Sequence, residues 1–160
     1  MELKTRSGIR GEVEIKVWDR FGKLKIHRDF APNQIQDLGL EEAATLLLTD
    51  TTAGGVAFDY IATGTGTGQA VTDSALAAEI ADSGLERTAG TGTLTTTTTT
   101  NDTAQLVVTF TVTGTKAVTE AGMFNASSAG IIMAYQNFSA LNLVNGDSLQ
   151  ITWKIVFDQA

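Results

Sequence analysis

Threonine is the feature of this sequence that most restricts its fold, since it occupies 25 of the 160 positions. It is β-branched, and its stiff χ1 torsion suits the pleated surface of a strand better than a helix. The 16 glycines suit turns and bulges, and there is a single proline. Hydrophobic residues make up 42% of the chain, which is enough for a packed core. We therefore expect one mainly β domain with many turns.

Alternating polarity locates the strands. Residues 12–18 and 23–27 alternate between polar and apolar side chains around a turn, which is typical of a half-buried β-hairpin. From residue 85 onward, turn residues recur at intervals of roughly 10–14 positions, as in sandwiches and barrels. This pattern predicts an antiparallel β-sandwich or jelly-roll-like single domain, with an N-terminal β-hairpin and one or two short helices.

Two segments have patterns typical of helices. Apolar residues recur at helical spacing over 33–50, and residues 72–74 could cap a short helix over 75–80. We find no internal repeat and no linker that would divide the chain. The expected organisation is one domain of three parts: a basic arm and hairpin at 1–30, a helix at 33–50 and a β-sandwich at 56–160.

Composition argues against several kinds of site. The chain has no cysteine, which excludes disulfides, thiolate metal sites and a cysteine nucleophile, and His27 is its one histidine. No spacing typical of a catalytic pair relates the acidic residues, which include Asp59, Glu79 and Glu120. We therefore predict no catalytic, cofactor-binding or metal-ligating residues, no cofactor, and no enzymatic activity.

The glycine-rich residues 64–68 superficially resemble a nucleotide-binding turn. The dinucleotide fingerprint requires glycine or alanine where Gln69 stands, and a P-loop requires a Lys-Ser/Thr pair that is absent. We interpret this segment as a wide turn whose glycines permit positive φ. The opening residues form no apolar secretory segment, and no run approaches about 18 apolar residues. We therefore expect synthesis in a cytoplasm and no membrane association.

Charge is distributed unevenly in this chain of net charge −7. Residues 1–30 hold eight Lys or Arg against five acids, whereas residues 31–160 hold three against thirteen. A basic segment of this kind could bind nucleic acid or an acidic protein surface. Acids such as Glu12 and Glu14 interrupt it and would repel phosphates, so we expect no binding of nucleic acid.

Residues 92–100 form a threonine-rich predicted strand, within a stretch without charge from Thr88 to Asn101. An ice-binding surface would need many parallel rows of threonine, and this chain offers one segment. An uncharged exposed edge tends to associate unless something covers it. The predicted self-association edge consists of Thr95, Thr97 and Thr99, and pairing with a second copy would make a homo-oligomer.

Four short motifs follow one another along the chain. They are YIATGTGT at 60–67, TDSALAAE at 72–79 followed by Arg87, TEAGMFN at 119–125 and GDSLQITW at 146–153. In this order they resemble motifs of small structural proteins of tailed bacteriophages, and similar motifs occur at the start of phage tail-fibre proteins. The proline expected after the glycine-rich turn is absent here. The opening hairpin and the predicted helix also fit this resemblance.

The resemblance implies a structural virion protein. The chain ends where its last predicted strand ends, so we expect a compact module without a fibre shaft. For such a module the resemblance implies a capsid decoration (cement) protein that binds the major capsid protein and stabilises joints between capsomers. Its alternative is a tail, neck or baseplate component or a tail-fibre adaptor, and a third role is binding of carbohydrate or a host receptor. The expected location is the outer capsid surface of the virion, after synthesis in the host cytoplasm.

A capsid-binding role would involve the basic first segment. It is then expected to dock onto an acidic shell surface, while the acidic remainder keeps free copies soluble. The candidate capsid-docking residues are Lys4, Arg6, Arg10, Lys23 and Lys25. A dimer or trimer is the expected homo-oligomer.

Overall fold

The computed structural model describes residues 8–37, 39 and 57–158. Within them the chain forms two antiparallel sheets of five strands each. The strands are β1 (Gly8–Trp18), β2 (Leu24–Pro32), β3 (Gln34–Ile35), β4 (Tyr60–Gly64), β5 (Thr88–Ala89), β6 (Thr91–Thr95), β7 (Thr103–Thr111), β8 (Lys116–Phe124), β9 (Ile132–Leu143) and β10 (Ser148–Asp158). The predicted mainly β, antiparallel fold is confirmed.

The first sheet has the strand order β2-β1-β10-β7-β6. The predicted N-terminal hairpin is confirmed as β1 and β2, and a bulge between Val13 and Ile15 interrupts its register. β1 pairs with β10 over its whole length, from Gly8 opposite Asp158 to Trp18 opposite Ser148. The hairpin is therefore built into the sheet, with β1 as an inner strand and β2 as one outer strand.

The second sheet has the order β3-β9-β8-β4-β5, and it packs against the first around one apolar core. Alternation places the inward side chains of β1 there, and Trp153 of β10 is fully buried among them. Met123 of β8 and Leu141 of β9 enter the same core from the second sheet. This shared core makes the fold a β-sandwich. No helix in the described part of the chain is long and apolar enough to cross a membrane.

The short helix predicted over 75–80 is wrong. Turns occupy this segment, and Glu79 forms an isolated β-bridge with Gly64. The N–H groups of Ala77 and Ala78 donate to the carboxylate of Glu120, 42 or more residues away in sequence, so a contact with a distant strand holds this backbone in place of a helical ladder. A tertiary partner has overridden the local pattern.

The helix predicted over 33–50 does not begin as expected. Residues 34 and 35 form β3, because they pair with Tyr135 and Ala134 at the edge of the second sheet. The backbone is helical at Asp37 and Gly39. The rest of the prediction, residue 38 and residues 40–50, lies outside the described residues.

The threonine-rich strand is shorter than predicted, since β6 ends at Thr95. The N–H groups of Thr97, Thr98 and Thr99 donate to the Asp102 carboxylate over 2.7–2.8 Å. The bond from Thr99, with those from its two neighbours, holds the pKa of Asp102 well below its ordinary value. Backbone N–H groups that donate to an aspartate are not available for hydrogen bonds between strands. The segment therefore forms a turn before β7.

Candidate functional site

Three of the four motifs meet on the second sheet, whereas the fourth, GDSLQITW, lies on β10 of the first sheet and the turn before it. Glu120 of β8 is fully buried. One of its oxygens, Oε1, accepts hydrogen bonds from the N–H groups of Gly66 at 2.9 Å and Ala78 at 2.8 Å. The other oxygen accepts from Ala77 at 3.2 Å. One carboxylate of the third motif thus ties the glycine-rich turn to the TDSALAAE segment.

This contact explains two of the glycines. A Cβ at Gly64 or at Gly66 would overlap Oε1 of Glu120. Neither glycine has a positive φ, whereas Gly68 does, at 78°. A positive φ therefore explains the glycine at position 68 only. Positions 64 and 66 need glycine because the buried carboxylate of Glu120 approaches their backbone closely.

Arg87 joins the second motif to the third. Its guanidinium makes two parallel hydrogen bonds with Glu79, at 2.9 Å from Nε and 2.6 Å from Nη2. Nη1 donates to the carbonyls of Ala126 and Ala129. The same group stacks over Phe124, with Cζ 3.7 Å from the ring centroid. The Arg87 side chain is 6% exposed, so this charge is used almost entirely inside the protein.

Asn125 completes the cluster. Its Oδ1 accepts a hydrogen bond of 2.7 Å from the N–H of Ile131, which closes the loop between β8 and β9. We call this group the motif network; it consists of Gly66, Glu79, Arg87, Glu120 and Asn125. Its charged groups have internal partners, so the network holds loops on the sheet and offers few free groups to a ligand.

A different kind of surface lies where the β1–β2 turn meets the β9–β10 turn. We call it the hairpin end; it comprises residues 19–25 and 144–147. In the first turn the N–H of Asp19 donates to Lys23 and the N–H of Gly22 donates back to Asp19, both at 2.9 Å. Gly22 has a φ of 79°, which fits a three-residue hairpin loop with a left-handed glycine. Oδ1 of Asp19 also accepts the N–H groups of Phe21 and Lys23, so the turn is rigid.

Asp147 fixes the second turn and ties it to the first. This buried carboxylate accepts the N–H of Val144 at 3.0 Å and the ammonium of Lys25 at 2.7 Å. Burial raises the pKa of Asp147, but the bonds from Lys25 and Val144 outweigh it and leave the pKa below its ordinary value. Lys25 also donates to the carbonyl of Asn142. The two turns therefore form one preorganised surface.

The hairpin end exposes apolar side chains beside positive charge. Phe21 is 80% exposed, and Leu24 and Val144 are each 47% exposed. These are three of the six exposed large hydrophobic residues in the described part of the chain. The guanidinium of Arg20 stacks on Phe21, 4.9 Å from its centroid. The turn also carries Lys23, so an aromatic anchor and cations face solvent together.

The structure separates the predicted docking residues. Lys23 and Lys25 belong to the hairpin end, whereas Arg10 lies near the start of β1, 3.5 Å from Glu12. The strand between Arg10 and Trp18 spans about 27 Å, so these residues do not form one surface. Lys4 and Arg6 lie outside the described residues. Sequence reasoning missed Phe21, although an aromatic residue inside a turn was a signal that could have found it.

One further cluster brings together three side chains of the kinds that ligate metal ions. Among the described residues, Glu14, His27 and Asp29 alone bring three candidate ligand atoms within 4.8 Å of one another. His27 Nε2 lies 2.9 Å from Glu14, and Lys16 Nζ lies 2.7 Å from the other oxygen of the same carboxylate. Burial raises the pKa of Glu14, but bonds from Lys16 and His27 outweigh it and lower the pKa. Both oxygens of Glu14 thus have partners. The group is therefore a cluster of ion pairs on the outer face of the sheet.

Comparison with known proteins finds no family model, curated protein or solved structure that matches this chain. The observations that bear on function therefore come from the chain itself. They are the order of the four motifs and the exposed surface of the hairpin end.

Proposed function

We propose that this chain is a structural virion protein of a tailed bacteriophage, and specifically a capsid decoration (cement) protein. Its partner is the major capsid protein, and its place is the outer surface of the shell. The observation that carries this proposal is the hairpin end, where Phe21, Leu24 and Val144 are exposed on two locked turns beside Arg20 and Lys23. The four phage-like motifs supply the class of virion protein.

The chemistry of the hairpin end defines the surface that it fits. Aromatic residues and arginine are enriched at the centres of protein interfaces, so Phe21 and Arg20 would fill an apolar hollow. Lys23 would face acidic groups at its rim and speed the encounter. Asp19 and Asp147 lie in the same region, but each is bound to donors of its own turn. The complementary surface is therefore acidic around an apolar centre.

Rigidity suits this task. Both turns are fixed by hydrogen bonds before binding, so little conformational entropy is lost at the interface. A decoration protein bridges neighbouring capsomers, and each copy adds buried area across a joint. Modest contacts repeated over the whole shell sum to a large stabilisation against internal pressure.

The motifs also suit a tail, neck or baseplate component or a tail-fibre adaptor, and copy number separates the two roles. The test is quantitative mass spectrometry of purified phage particles that carry this chain, with the major capsid protein as reference. A decoration protein should give a molar ratio on the order of one to one or one to three, as repeated shell symmetry requires. A ratio of a few per hundred would assign the protein to the tail or neck, and absence from the particle would overturn both roles.

A further inference from the structure

The two outer strands of the first sheet differ in charge. β2 carries Lys25, Arg28 and Asp29, and such charges discourage pairing with another strand. β6 has the sequence Thr-Gly-Thr-Leu-Thr and carries none. Its inner edge pairs with β7, and its outer edge has no strand neighbour among the described residues. Within the described part of the chain, the backbone groups of that edge are therefore available to a further strand.

The side chains of β6 also differ strongly in size along this edge. Leu94 is 66% exposed, although it lies on the same face of β6 as Gly92. That face borders a groove of about 280 Å³ whose lining includes Phe58, Leu106 and Met123. A Cβ placed at Gly92 would meet no atom within 4 Å, so there is open space beside the glycine. A large apolar side chain and an empty position thus alternate along one short strand.

We propose that β6 pairs antiparallel with β6 of a second copy, about a two-fold axis at Thr93. In this register Thr93 lies opposite its own equivalent, Thr91 lies opposite Thr95, and Gly92 lies opposite Leu94. Each Leu94 therefore covers Gly92 of the other copy and extends toward its apolar groove. The pairing joins two five-stranded sheets into one continuous sheet and leaves no outer edge on that side.

A second copy is the occupant because the edge is complementary to itself. Two-fold pairing matches the large side chain with the empty position twice, and opposed threonines are favourable cross-strand pairs. The chain carries a net charge of −7, and because β6 itself is uncharged, pairing there brings no like charges into direct contact. Thr97 and Thr99 of the predicted edge lie in the loop around Asp102 and take no part. This inference is independent of the capsid role.

Disulfide trapping tests the register directly, since the chain has no native cysteine. Directly opposed residues of an antiparallel pair have Cα atoms about 4.5–5.5 Å apart, within the range a disulfide spans. Thr93→Cys should therefore form a covalent dimer under mild oxidation, roughly tenfold or more faster than Thr91→Cys. The control lies on the same strand and is equally exposed to oxidant, but it faces Thr95 of the second copy. Equal trapping rates for the two variants would overturn the register.

Gly92→Val separates pairing from folding. A valine fits the open space in one copy and favours a strand, so the melting temperature should not fall when both proteins are compared at a concentration low enough to keep them monomeric. It would occupy the position of Leu94 from the second copy, so the dimer dissociation constant should rise roughly tenfold or more. Analytical ultracentrifugation of the wild type should give twice the chain mass of 16.9 kDa. A single-chain mass for the wild type at tens of micromolar, or an unweakened Gly92→Val dimer, would overturn the proposal.

Discussion

The motif network and the hairpin end are both rich in charged and aromatic residues, yet they use them in opposite ways. Glu120 is fully buried, and its two carboxylate oxygens accept hydrogen bonds from three backbone N–H groups. At the hairpin end the ring of Phe21 is exposed, and Arg20 stacks on its outside. Three of the four motifs therefore build the scaffold, and the fourth supplies Asp147, whose carboxylate fixes one of the exposed turns. The groups that lie exposed for a partner, Phe21 and Arg20, belong to none of the motifs.

The largest effect on stability should come from Glu120→Ala. Three backbone N–H groups lose a buried acceptor together, which should lower the free energy of unfolding by about 3 kcal/mol or more. Glu120→Gln is the matched control, since its carbonyl oxygen can still accept from Gly66 and Ala78, and it should cost about half as much. Denaturant unfolding measures both variants. A loss below about 1 kcal/mol for Glu120→Ala would show that the motif network does not hold the fold.

Arg87→Ala should have the next largest effect. It removes the paired bonds to Glu79, two bonds to carbonyls and the stacking on Phe124, at a cost of about 2–3 kcal/mol. Arg87→Lys keeps the charge but not the planar fork, so it should recover less than half of this loss. Full recovery by lysine would show that charge alone matters and that the observed geometry does not. Denaturant unfolding again gives the comparison.

Acid should destabilise the protein through carboxyls whose pKa is lowered by folding, among them Asp147 and Glu14. Each stabilises the fold while ionised, fully above its unfolded pKa of 3.8 or 4.5, and this stabilisation is lost as the pH falls toward the lower folded value. Asp147→Asn should therefore lower the free energy of unfolding by about 1 kcal/mol at neutral pH. Below about pH 4, the free energy of unfolding of this variant should fall less steeply with pH than that of the wild type. Unfolding curves at a series of pH values measure this slope, and an unchanged slope would contradict the assignment.

Charge reversal on the surface should have the smallest effect on stability. Its effect on capsid binding should depend on where the reversed charge lies. Lys23→Glu should leave the free energy of unfolding within about 0.5 kcal/mol of wild type. It should slow association with undecorated capsids, most strongly at low salt. Arg10→Glu places the same change at the far end of β1 and should have a smaller effect on that rate. An equal or larger effect of Arg10→Glu would transfer the docking role to the basic first segment as a whole.

Local patterns predicted the strands well because they depend on near neighbours. The alternation of Val13, Ile15 and Val17 reports directly which face of β1 is buried. Predictions failed where a single distant or competing carboxylate decides the outcome, as Glu120 does for residues 75–80 and Asp102 does for Thr97. No short-range pattern contains Glu120, whereas Asp102 lies three to five residues from its donors, and the missed signal there is an aspartate that competes with the strand for backbone N–H groups.

The candidate site was harder to predict than the fold. Positive charge near Lys23 was visible in the sequence, but exposure depends on which turns lie side by side. Val144 and Phe21 come together only because β1 pairs with β10 and both adjoining turns emerge at the same end. A sequence position more than a hundred residues away therefore completes the surface, and composition alone cannot show that.

The most direct test of the central claim is capsid occupancy after Phe21→Ser. The variant is mixed with purified capsids that lack this protein, and bound copies are counted against wild type at equal concentration. Phe157→Ser is the matched control, because Phe157 is 51% exposed at the opposite end of the same sheet. We predict an affinity loss of roughly tenfold or more for Phe21→Ser, with an unchanged melting temperature and near wild-type binding by the control. Full occupancy by Phe21→Ser would contradict docking through the hairpin end.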